Sequence, residues 1–228
     1  MVEFLFIDLD DTILDFHKAE EVAIRKTLSA FGVAPTEAVC ARYSQINDNH
    51  WKMLERQEIT RQQVLVGRFA QLFSELGIDA DARQCSLCYM ENLGIGHYFL
   101  PGAQAAVQSL SGKYKLYLAS NGTTVVQKSR IASADIAQYF QAIFISQQVG
   151  ADKPSGEYFE RCFSQIPGFD RSRAMIVGDS LSSDILGGKN AGISTCWVNP
   201  RHKPRNTDVR PDYEVESLAQ LEDLLETL

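Results

Sequence analysis

The stretch "FLFIDLDDTILD", from Phe4 to Asp15, decides the fold of this chain. It starts as an apolar run that ends at Ile7, and four aspartates follow within eight residues: Asp8, Asp10, Asp11 and Asp15. Like charges this close repel one another, so the carboxylates must be exposed, neutralised by a cation, or shifted in pKa. A solvated acidic turn after a buried strand is the simplest interpretation, and the rest of the chain has to test it.

Composition sets the first limits. The chain has 228 residues, of which 45% are hydrophobic, which is enough for one or two packed domains. Its net charge of −7 argues against a general affinity for nucleic-acid polymers. Its apolar runs fall short of the roughly 18 residues of a membrane span, and the N-terminus does not resemble a secretion signal. We therefore predict a cytoplasmic protein without a membrane or nucleic-acid partner.

The five cysteines are an odd number, which favours free thiols in a cytoplasmic protein. Cys85 and Cys88 form a C-x-x-C motif, which is also found in zinc and redox sites. The surrounding residues read as a helix without a second cysteine pair. We interpret both as ordinary buried or half-buried cysteines.

From the "LPGA" segment at 100–103 onward, short apolar strands alternate with helices. We predict strands at 115–120, 142–146, 174–179 and 195–199, and a last helix at 218–225. This alternation is typical of a parallel sheet covered by helices on both faces. The apolar run at 2–7 must be a further strand of that sheet, because it has no other strand to pair with.

The segment between these strands reads as helical throughout. A first helix is predicted at 15–31, with Gly32 as its C-terminal cap. Thr60 and Gln63 have capping-box spacing at the start of another helix, which Gly77 ends. The predicted fold class is therefore α/β: a doubly wound, Rossmann-like core domain formed by 1–14 and 100–228, with an all-helical domain, 15–99, inserted after the first strand.

Polar residues gather where the predicted strands end. In doubly wound sheets, ligands bind at the carboxyl ends of the strands. The residues at these ends and in the loops that follow are Asp8, Asp10, Ser120, Asn121, Gly122, Lys153, Asp179 and Asp184. Their shared position makes the solvated-turn interpretation of the opening stretch much less attractive than a functional site.

These residues allow phosphoryl transfer. Asp8 and Asp10 lie two residues apart on one side of the strand end, and Asp179 adds a third oxygen donor, a set that suits Mg²⁺. A carboxylate can accept a phosphoryl group, and a neighbouring carboxyl can protonate the leaving oxygen. The Ser120 hydroxyl, the Asn121 N–H and Lys153 would bind phosphate oxygens. Taken singly, however, a Ser-Asn-Gly segment is usually a turn and a loop lysine is usually solvated.

The ordered set resembles the four motifs of the haloacid dehalogenase-like (HAD) hydrolase superfamily. "DLDDT" is similar to the first motif, Ser120 to the second, Lys153 before Pro154 to the third, and "GDSLSSD" to the fourth. The resemblance implies that Asp8 is the nucleophile and Asp10 the general acid and base, with Thr12 supporting their loop. It implies metal binding by Asp8, Asp179 and the Asp10 backbone carbonyl, with Asp184 lying behind these ligands or binding the metal through water. The presence of an acid/base at Asp10 favours phosphatases over dehalogenases.

A closer resemblance is to the YjjG-type pyrimidine 5′-nucleotidases, carried by segments such as "NHWK", "GRFAQLF" and "SDILGGKNAGISTCWVN". It implies a Mg²⁺-dependent phosphatase acting on nucleoside 5′-monophosphates, with pyrimidine preference, and a helical cap that covers the site. Candidate substrate contacts are Phe16, His50, Trp51 and Arg68. Each has a structural alternative: core aromatics, a cap-stabilising histidine, and a structural ion pair for Arg68. The basic loop at 199–206 is interpreted as solvated rather than as an anion-binding loop.

Three alternatives stay open from the sequence. The enzyme could be a phosphatase of broad specificity for sugar phosphates or other small metabolites. It could be a phosphomutase of the same superfamily, which would re-use the phosphoryl group. A non-catalytic module on the same scaffold is the third, but the expected catalytic residues are all present.

Overall fold

The computed structural model describes residues 1–205 and 207–228, so Asn206, the last residue of the predicted basic loop, lies outside the described residues. These residues form two compact units. Unit 1 consists of Met1–Phe16 and His97–Leu228, and unit 2 of His17–Gly96. This division lies within three residues of the predicted domain boundaries.

Unit 1 contains a six-stranded parallel sheet in the order β3-β2-β1-β4-β5-β6. The strands are β1 (Phe4–Ile7), β2 (Lys115–Ser120), β3 (Ala142–Ile145), β4 (Ala174–Gly178), β5 (Ser194–Val198) and β6 (Tyr213–Val215). The five predicted strands are confirmed, β2 with its bounds unchanged. β6 was not predicted; it is a three-residue edge strand paired with β5.

Unit 2 and the sheet connections supply the helices. They are α1 (Phe16–Ala30), α2 (Glu37–Glu55), α3 (Arg61–Leu76), α4 (Ala82–Ile95), α5 (Ala103–Ser111), α6 (Thr124–Ser133), α7 (Ser146–Val149), α8 (Gly156–Phe163), α9 (Leu186–Ala191) and α10 (Leu218–Leu225). A π-helical turn, Leu181–Ile185, precedes α9. Among the described residues, the helices lack the combination of length and apolarity that a membrane crossing requires.

β1 contributes side chains to a buried core on each face of the sheet. Leu5 and Ile7 belong to a core with α5 and α10, while Phe4 and Phe6 belong to a second, aromatic core on the opposite face. Side chains of a strand alternate between faces, so each face receives two fully buried β1 residues. Parallel sheets of this kind are covered on both sides, as predicted.

Strand order fixes where ligands can bind. β1 lies between β2 and β4, and the chain reverses its direction of strand addition between them. A crevice forms at such a reversal, outside the carboxyl ends of the two central strands. The residues that follow β1 and β4 therefore face the same crevice.

Unit 2 consists of α1 without its first residue, followed by α2, α3 and α4, with no strand among its residues. The predicted capping box of α3 is confirmed: the Gln63 N–H donates to Thr60 Oγ1, and the Thr60 N–H donates to Gln63 Oε1 at 2.8 Å. Gly77 ends α3 in the left-handed region, with φ +65°. Cys85 and Cys88 lie on α4 as free thiols, which agrees with the predicted helix.

Candidate active site

The loop after β1 carries two carboxylates in defined positions. The Asp8 N–H continues the ladder to Val177 O of β4 at 2.9 Å. A tight turn follows, in which the Leu14 N–H donates to Leu9 O and the Asp11 N–H donates to Leu14 O. Asp11 adopts φ +55°, which an aspartate tolerates better than most residues. The carboxylates at Asp8 and Asp10 are therefore presented by a loop with little freedom.

Thr12 lies inside the same turn and is buried. Its hydroxyl has no hydrogen-bond partner within residues 1–205 and 207–228. The supporting role that the resemblance implies for Thr12 is therefore carried in this structure by its packing and not by a hydrogen bond from its side chain.

Lys153 is the central cation of the site. It is 1% exposed, and its Nζ donates to Asp8 Oδ1 at 2.7 Å, to Asp184 Oδ1 at 2.6 Å and to Ala119 O at 2.6 Å. An ammonium group has three protons to donate, and each of them has an acceptor here. Lys153 therefore links the nucleophile candidate that follows β1 to the carboxylate that follows β4.

Asn121 holds the Lys153 backbone in place. Its Oδ1 accepts from the Lys153 N–H at 2.9 Å, and its Nδ2 donates to Lys153 O at 2.7 Å and to Ser183 Oγ at 3.2 Å. These contacts join the loop after β2 to the loop after β3. The Asn121 side chain thus has a structural role that the sequence did not indicate, beside the phosphate-binding N–H that was predicted.

Asp8, Asp179 and Asp184 form an acidic cluster. One carboxylate oxygen of each lies within 4.8 Å of the others. Asp184 is oriented by the π-helical turn, where the Ser180 N–H donates to its Oδ2 at 3.1 Å. Gly178 is required here, because a Cβ at that position would collide with the Asp184 carboxylate.

The pKa values of the cluster record its mutual repulsion. Burial, followed by the charges of Asp184 and Asp10, raises the pKa of Asp8 well above its usual range. Burial and the charges of Asp184 and Asp11 raise the pKa of Asp179 to about 7. Burial alone would lower the pKa of Lys153, but Asp184 and Asp8 outweigh it, so that its pKa lies above the ordinary value.

The donor set fits a divalent cation. Three carboxylates converge, and two of them have pKa values raised by burial and by neighbouring negative charge, which a cation would relieve. Oxygen ligands with few protein donors are typical of Mg²⁺ sites. Both Asp184 oxygens already accept hydrogen bonds, from Lys153 and Ser180, which favours an indirect role for Asp184.

The Asp10 carboxylate is bound by two residues of α6 that the sequence analysis missed. Gln127 Nε2 donates to Asp10 Oδ2 at 2.7 Å and to Ser120 Oγ at 2.8 Å. Arg130 forms a close ion pair with Asp10 Oδ1 and donates to Gln127 Oε1 at 3.0 Å. Two features of the sequence could have indicated these residues. α6 follows the Ser-Asn-Gly segment directly, and it carries two polar residues three positions apart on one helix face.

Lys203, in the basic loop, contacts the acidic cluster. Its Nζ lies 3.4 Å from Asp179 Oδ2. Asn199 fixes the loop, because its Oδ1 accepts from the Lys203 N–H at 2.8 Å and its Nδ2 donates to Glu214 Oε1 at 2.8 Å. The loop was interpreted as solvated, and residues 200–205 are indeed exposed. Lys203 also pairs with a carboxylate of the site, which was not predicted.

The candidate substrate residues lie in both units. Phe16, in unit 1, has its ring centroid 5.8 Å from the Arg130 guanidinium carbon. In unit 2, Trp51 packs against Arg61, and His50 Nδ1 lies 2.9 Å from Ile46 O. Substrate binding by Phe16, Trp51 and His50 stays a prediction.

Arg68 makes a hydrogen bond to a neutral side chain and stacks on aromatic rings, which differs from the ion pair expected as its structural alternative. It is 3% exposed, and its Nη1 donates to Asn47 Oδ1 at 2.7 Å. Asn47 in turn donates to Glu20 Oε1 at 2.6 Å, and the Arg68 guanidinium stacks 4.7 Å from the Tyr89 ring centroid. Its guanidinium is buried inside unit 2, and substrate contact by Arg68 stays a prediction.

The chain is similar in sequence to a known family of hydrolases. The model of the haloacid dehalogenase-like hydrolase family matches residues 2–192. Among relatives, the pyrimidine 5′-nucleotidase PynA of Streptococcus pneumoniae is 40% identical over 225 residues, 98% of this chain and 95% of its own length. The pyrimidine 5′-nucleotidase YjjG of Escherichia coli is 30% identical over 98% of this chain and 97% of its own length.

A solved structure is also similar over nearly its entire length. The HAD-hydrolase YfnB of Bacillus subtilis, crystallised with magnesium, superposes with a TM-score of 0.94 at 36% identity. The alignment covers 98% of each chain.

Proposed function

The chain belongs to the haloacid dehalogenase-like hydrolase family, and on that premise we propose that it is a Mg²⁺-dependent phosphomonoesterase for nucleoside 5′-monophosphates. The observation that carries the proposal is the buried Asp8–Lys153–Asp184 arrangement beside Asp179. It combines a nucleophile, a cation and a metal-compatible acidic cluster at one end of the sheet. Pyrimidine specificity is proposed from the full-length relatives whose names state it.

Asp8 is the proposed nucleophile. Its carboxylate attacks phosphorus, so that an Asp8–phosphorus bond forms while the bond from phosphorus to the ester oxygen breaks. The leaving oxygen takes a proton from the Asp10 carboxyl. Water then attacks the aspartyl-phosphate and gives a proton to Asp10, which releases phosphate and restores Asp8.

Ser120 and Lys153 are the proposed phosphate-binding side chains, together with the Asn121 N–H. Lys153 already donates to Asp8 Oδ1, so its charge lies beside the oxygen atoms that gain negative charge during transfer. Ser120 is buried, and Gln127 donates to its hydroxyl oxygen. That contact leaves the hydroxyl proton for a phosphate oxygen.

Asp8, Asp179 and the Asp10 backbone carbonyl would hold the Mg²⁺, with Asp184 acting through water. When bound, the cation supplies positive charge that offsets the carboxylates and the phosphate group. Unit 2 is the proposed cap that selects the leaving group, with Phe16, His50 and Trp51 as candidate contacts to the nucleoside. The cytoplasm, with its Mg²⁺ and free nucleotides, is the proposed location.

The test is phosphate release from a panel of ribo- and deoxyribonucleoside 5′-monophosphates, sugar phosphates and an aryl phosphate, each with Mg²⁺ and with a chelator. Metal-dependent release that favours pyrimidine monophosphates is expected, and Asp8→Asn should abolish it while far-UV circular dichroism is unchanged. A sugar phosphate as the best substrate would keep the mechanism and reject the nucleotidase assignment. Turnover by purified Asp8→Asn protein would reject Asp8 as the nucleophile.

A further inference from the structure

We propose that Gln127 and Arg130 of α6 are positioning residues that aim the Asp10 carboxyl at the ester oxygen and at the attacking water. The proposal rests on the phosphomonoesterase function proposed above and concerns its proton-transfer steps. Neither residue belongs to the four motifs, and both were found through their contacts with Asp10.

The two residues bind opposite oxygens of one carboxylate. Gln127 Nε2 donates to Asp10 Oδ2 at 2.7 Å, and Arg130 pairs with Asp10 Oδ1. Residues three apart on a helix lie on the same face, so α6 presents both donors together. Because each Asp10 carboxylate oxygen accepts a hydrogen bond from a different side chain, both the position and the plane of the carboxyl group are fixed.

Gln127 also joins Asp10 to the phosphate-binding residue. The same Nε2 that contacts Asp10 donates to Ser120 Oγ at 2.8 Å, while Gln127 Oε1 accepts from Arg130 at 3.0 Å. The acid/base and the hydroxyl proposed to bind phosphate are therefore held in one frame. Asp10 can protonate the ester oxygen of a bound phosphate only if its distance from the phosphate-binding hydroxyl is fixed.

Gly122 gives Gln127 the space to do this. A Cβ at position 122 would collide with the Gln127 side chain at its Cγ, and would lie 2.7 Å from Nε2. The third residue of the Ser-Asn-Gly segment is thus explained by the approach of Gln127. An ordinary turn would not require this side chain to cross so close to the backbone.

Burial separates this arrangement from a surface ion pair. Gln127 is 2% exposed and Arg130 is fully buried, whereas the Asp10 side chain keeps 28% of its surface open. Burying a guanidinium is unfavourable unless a carboxylate partner lies next to it. The two donors are therefore buried, while part of the Asp10 side chain that they bind stays exposed.

The decisive variant is Gln127→Met, which removes both donated hydrogen bonds and leaves the buried Arg130 paired with Asp10. We compare kcat/KM for a nucleoside 5′-monophosphate, whose alkoxide leaving group needs a proton, with that for p-nitrophenyl phosphate, whose leaving group does not. General acid catalysis contributes about 10²–10⁴-fold. Partial misplacement of Asp10 should therefore lower kcat/KM about 10–100-fold for the nucleotide, and about threefold or less for the aryl ester.

The ratio of the two kcat/KM values is the readout, because a fraction of unfolded enzyme lowers both equally and cancels. Hydrolysis of the aspartyl-phosphate still needs Asp10 as a base, so Gln127→Met should also show a burst of p-nitrophenol in the first turnover. Arg130→Lys keeps the charge but loses the planar fork, and an intermediate change in the ratio is expected.

Lys128→Met is the matched control, since Lys128 lies on the same helix but is exposed. Its ratio should equal that of the wild type, and Asp10→Asn sets the upper limit of the change. A wild-type enzyme that hydrolyses nucleotides, with an unchanged ratio in Gln127→Met, would overturn this inference alone. A wild-type enzyme that releases no phosphate from any ester would overturn the proposed function and the inference with it.

Discussion

Replacing Lys153 with methionine should destabilise the protein strongly, because it leaves two buried carboxylates without their cation. Lys153 Nζ lies 2.7 Å from Asp8 Oδ1 and 2.6 Å from Asp184 Oδ1, and the three side chains are at most 9% exposed. At an effective dielectric constant of about 20, each contact corresponds to an attraction of about 6 kcal/mol. Desolvation of the ions offsets much of this, and removing one partner of a buried pair costs about 3–5 kcal/mol.

We therefore expect Lys153→Met to lower the free energy of unfolding by about 4 kcal/mol in chelator, a large part of the roughly 5–15 kcal/mol of a typical domain. The assay is urea unfolding followed by Trp197 fluorescence. Trp51→Phe serves as the background, because these are the two tryptophans of the chain and Trp51 lies in unit 2. Activity should be lost as well, since the phosphate group loses its cation.

Lys113→Met is the matched control. Lys113 also contacts two carboxylates, Glu222 and Glu226, each at 2.9 Å, but its side chain is 46% exposed. Exposed ion pairs contribute little, so this variant should remain close to the wild type in stability. Adding Asp184→Asn to Lys153→Met should recover part of the lost stability, because one unpaired carboxylate is removed. A loss below about 1 kcal/mol for Lys153→Met would refute the reasoning from buried charge.

Three further predictions concern the same cluster. Asp8→Asn should be inactive but about 1 kcal/mol more stable than the wild type in chelator, since burial disfavours the Asp8 carboxylate. A urea midpoint below that of the wild type would contradict this prediction. The pKa of Asp179 is raised to about 7, so the metal-free fold loses stability as pH rises from about 4 to about 7, at most about 4 kcal/mol. Mg²⁺ binds the carboxylate form of Asp179, so the increase in Tm caused by Mg²⁺ should be larger at about pH 8 than at about pH 5.5. Equal increases at the two pH values would count against Asp179 as a ligand. Lys203→Met should tighten Mg²⁺ binding by up to about fivefold in calorimetry, because Lys203 competes with the cation for Asp179. Arg201→Met in the same loop is the control. Weaker Mg²⁺ binding by Lys203→Met would exclude this competition.

The sequence was sufficient for the parts of the fold that repeat a strong local pattern. β2 and α10 have their predicted bounds, because an apolar strand run and an amphipathic helix leave little choice of limits. β6 was missed for the opposite reason. It has three residues, and Glu214 at its centre is exposed, so neither its length nor its composition distinguishes it from a loop before the sheet edge is known.

The site was predictable where function follows from position at a strand end, and not where it follows from contacts distant in sequence. Asp8 and Asp179 were found because each follows an apolar strand whose end is visible in the sequence. Gln127 and Arg130 were missed, since polar residues on a short helix look like a solvated face. Their partner Asp10 lies 117 and 120 residues away along the chain, and only the folded sheet brings them together.

The charges of the site explain how Asp8 and Asp10 of the opening stretch can lie so close to each other. Arg130 offsets Asp10, and Lys153 offsets one charge of the cluster formed by Asp8, Asp179 and Asp184. About two negative charges are left there when the cluster is ionised, in a chain that is already at −7. A phosphate monoester adds nearly two more at neutral pH. Such a substrate would be repelled from this cluster without further positive charge, so binding of a divalent cation and binding of a phosphate ester are coupled requirements of the same arrangement.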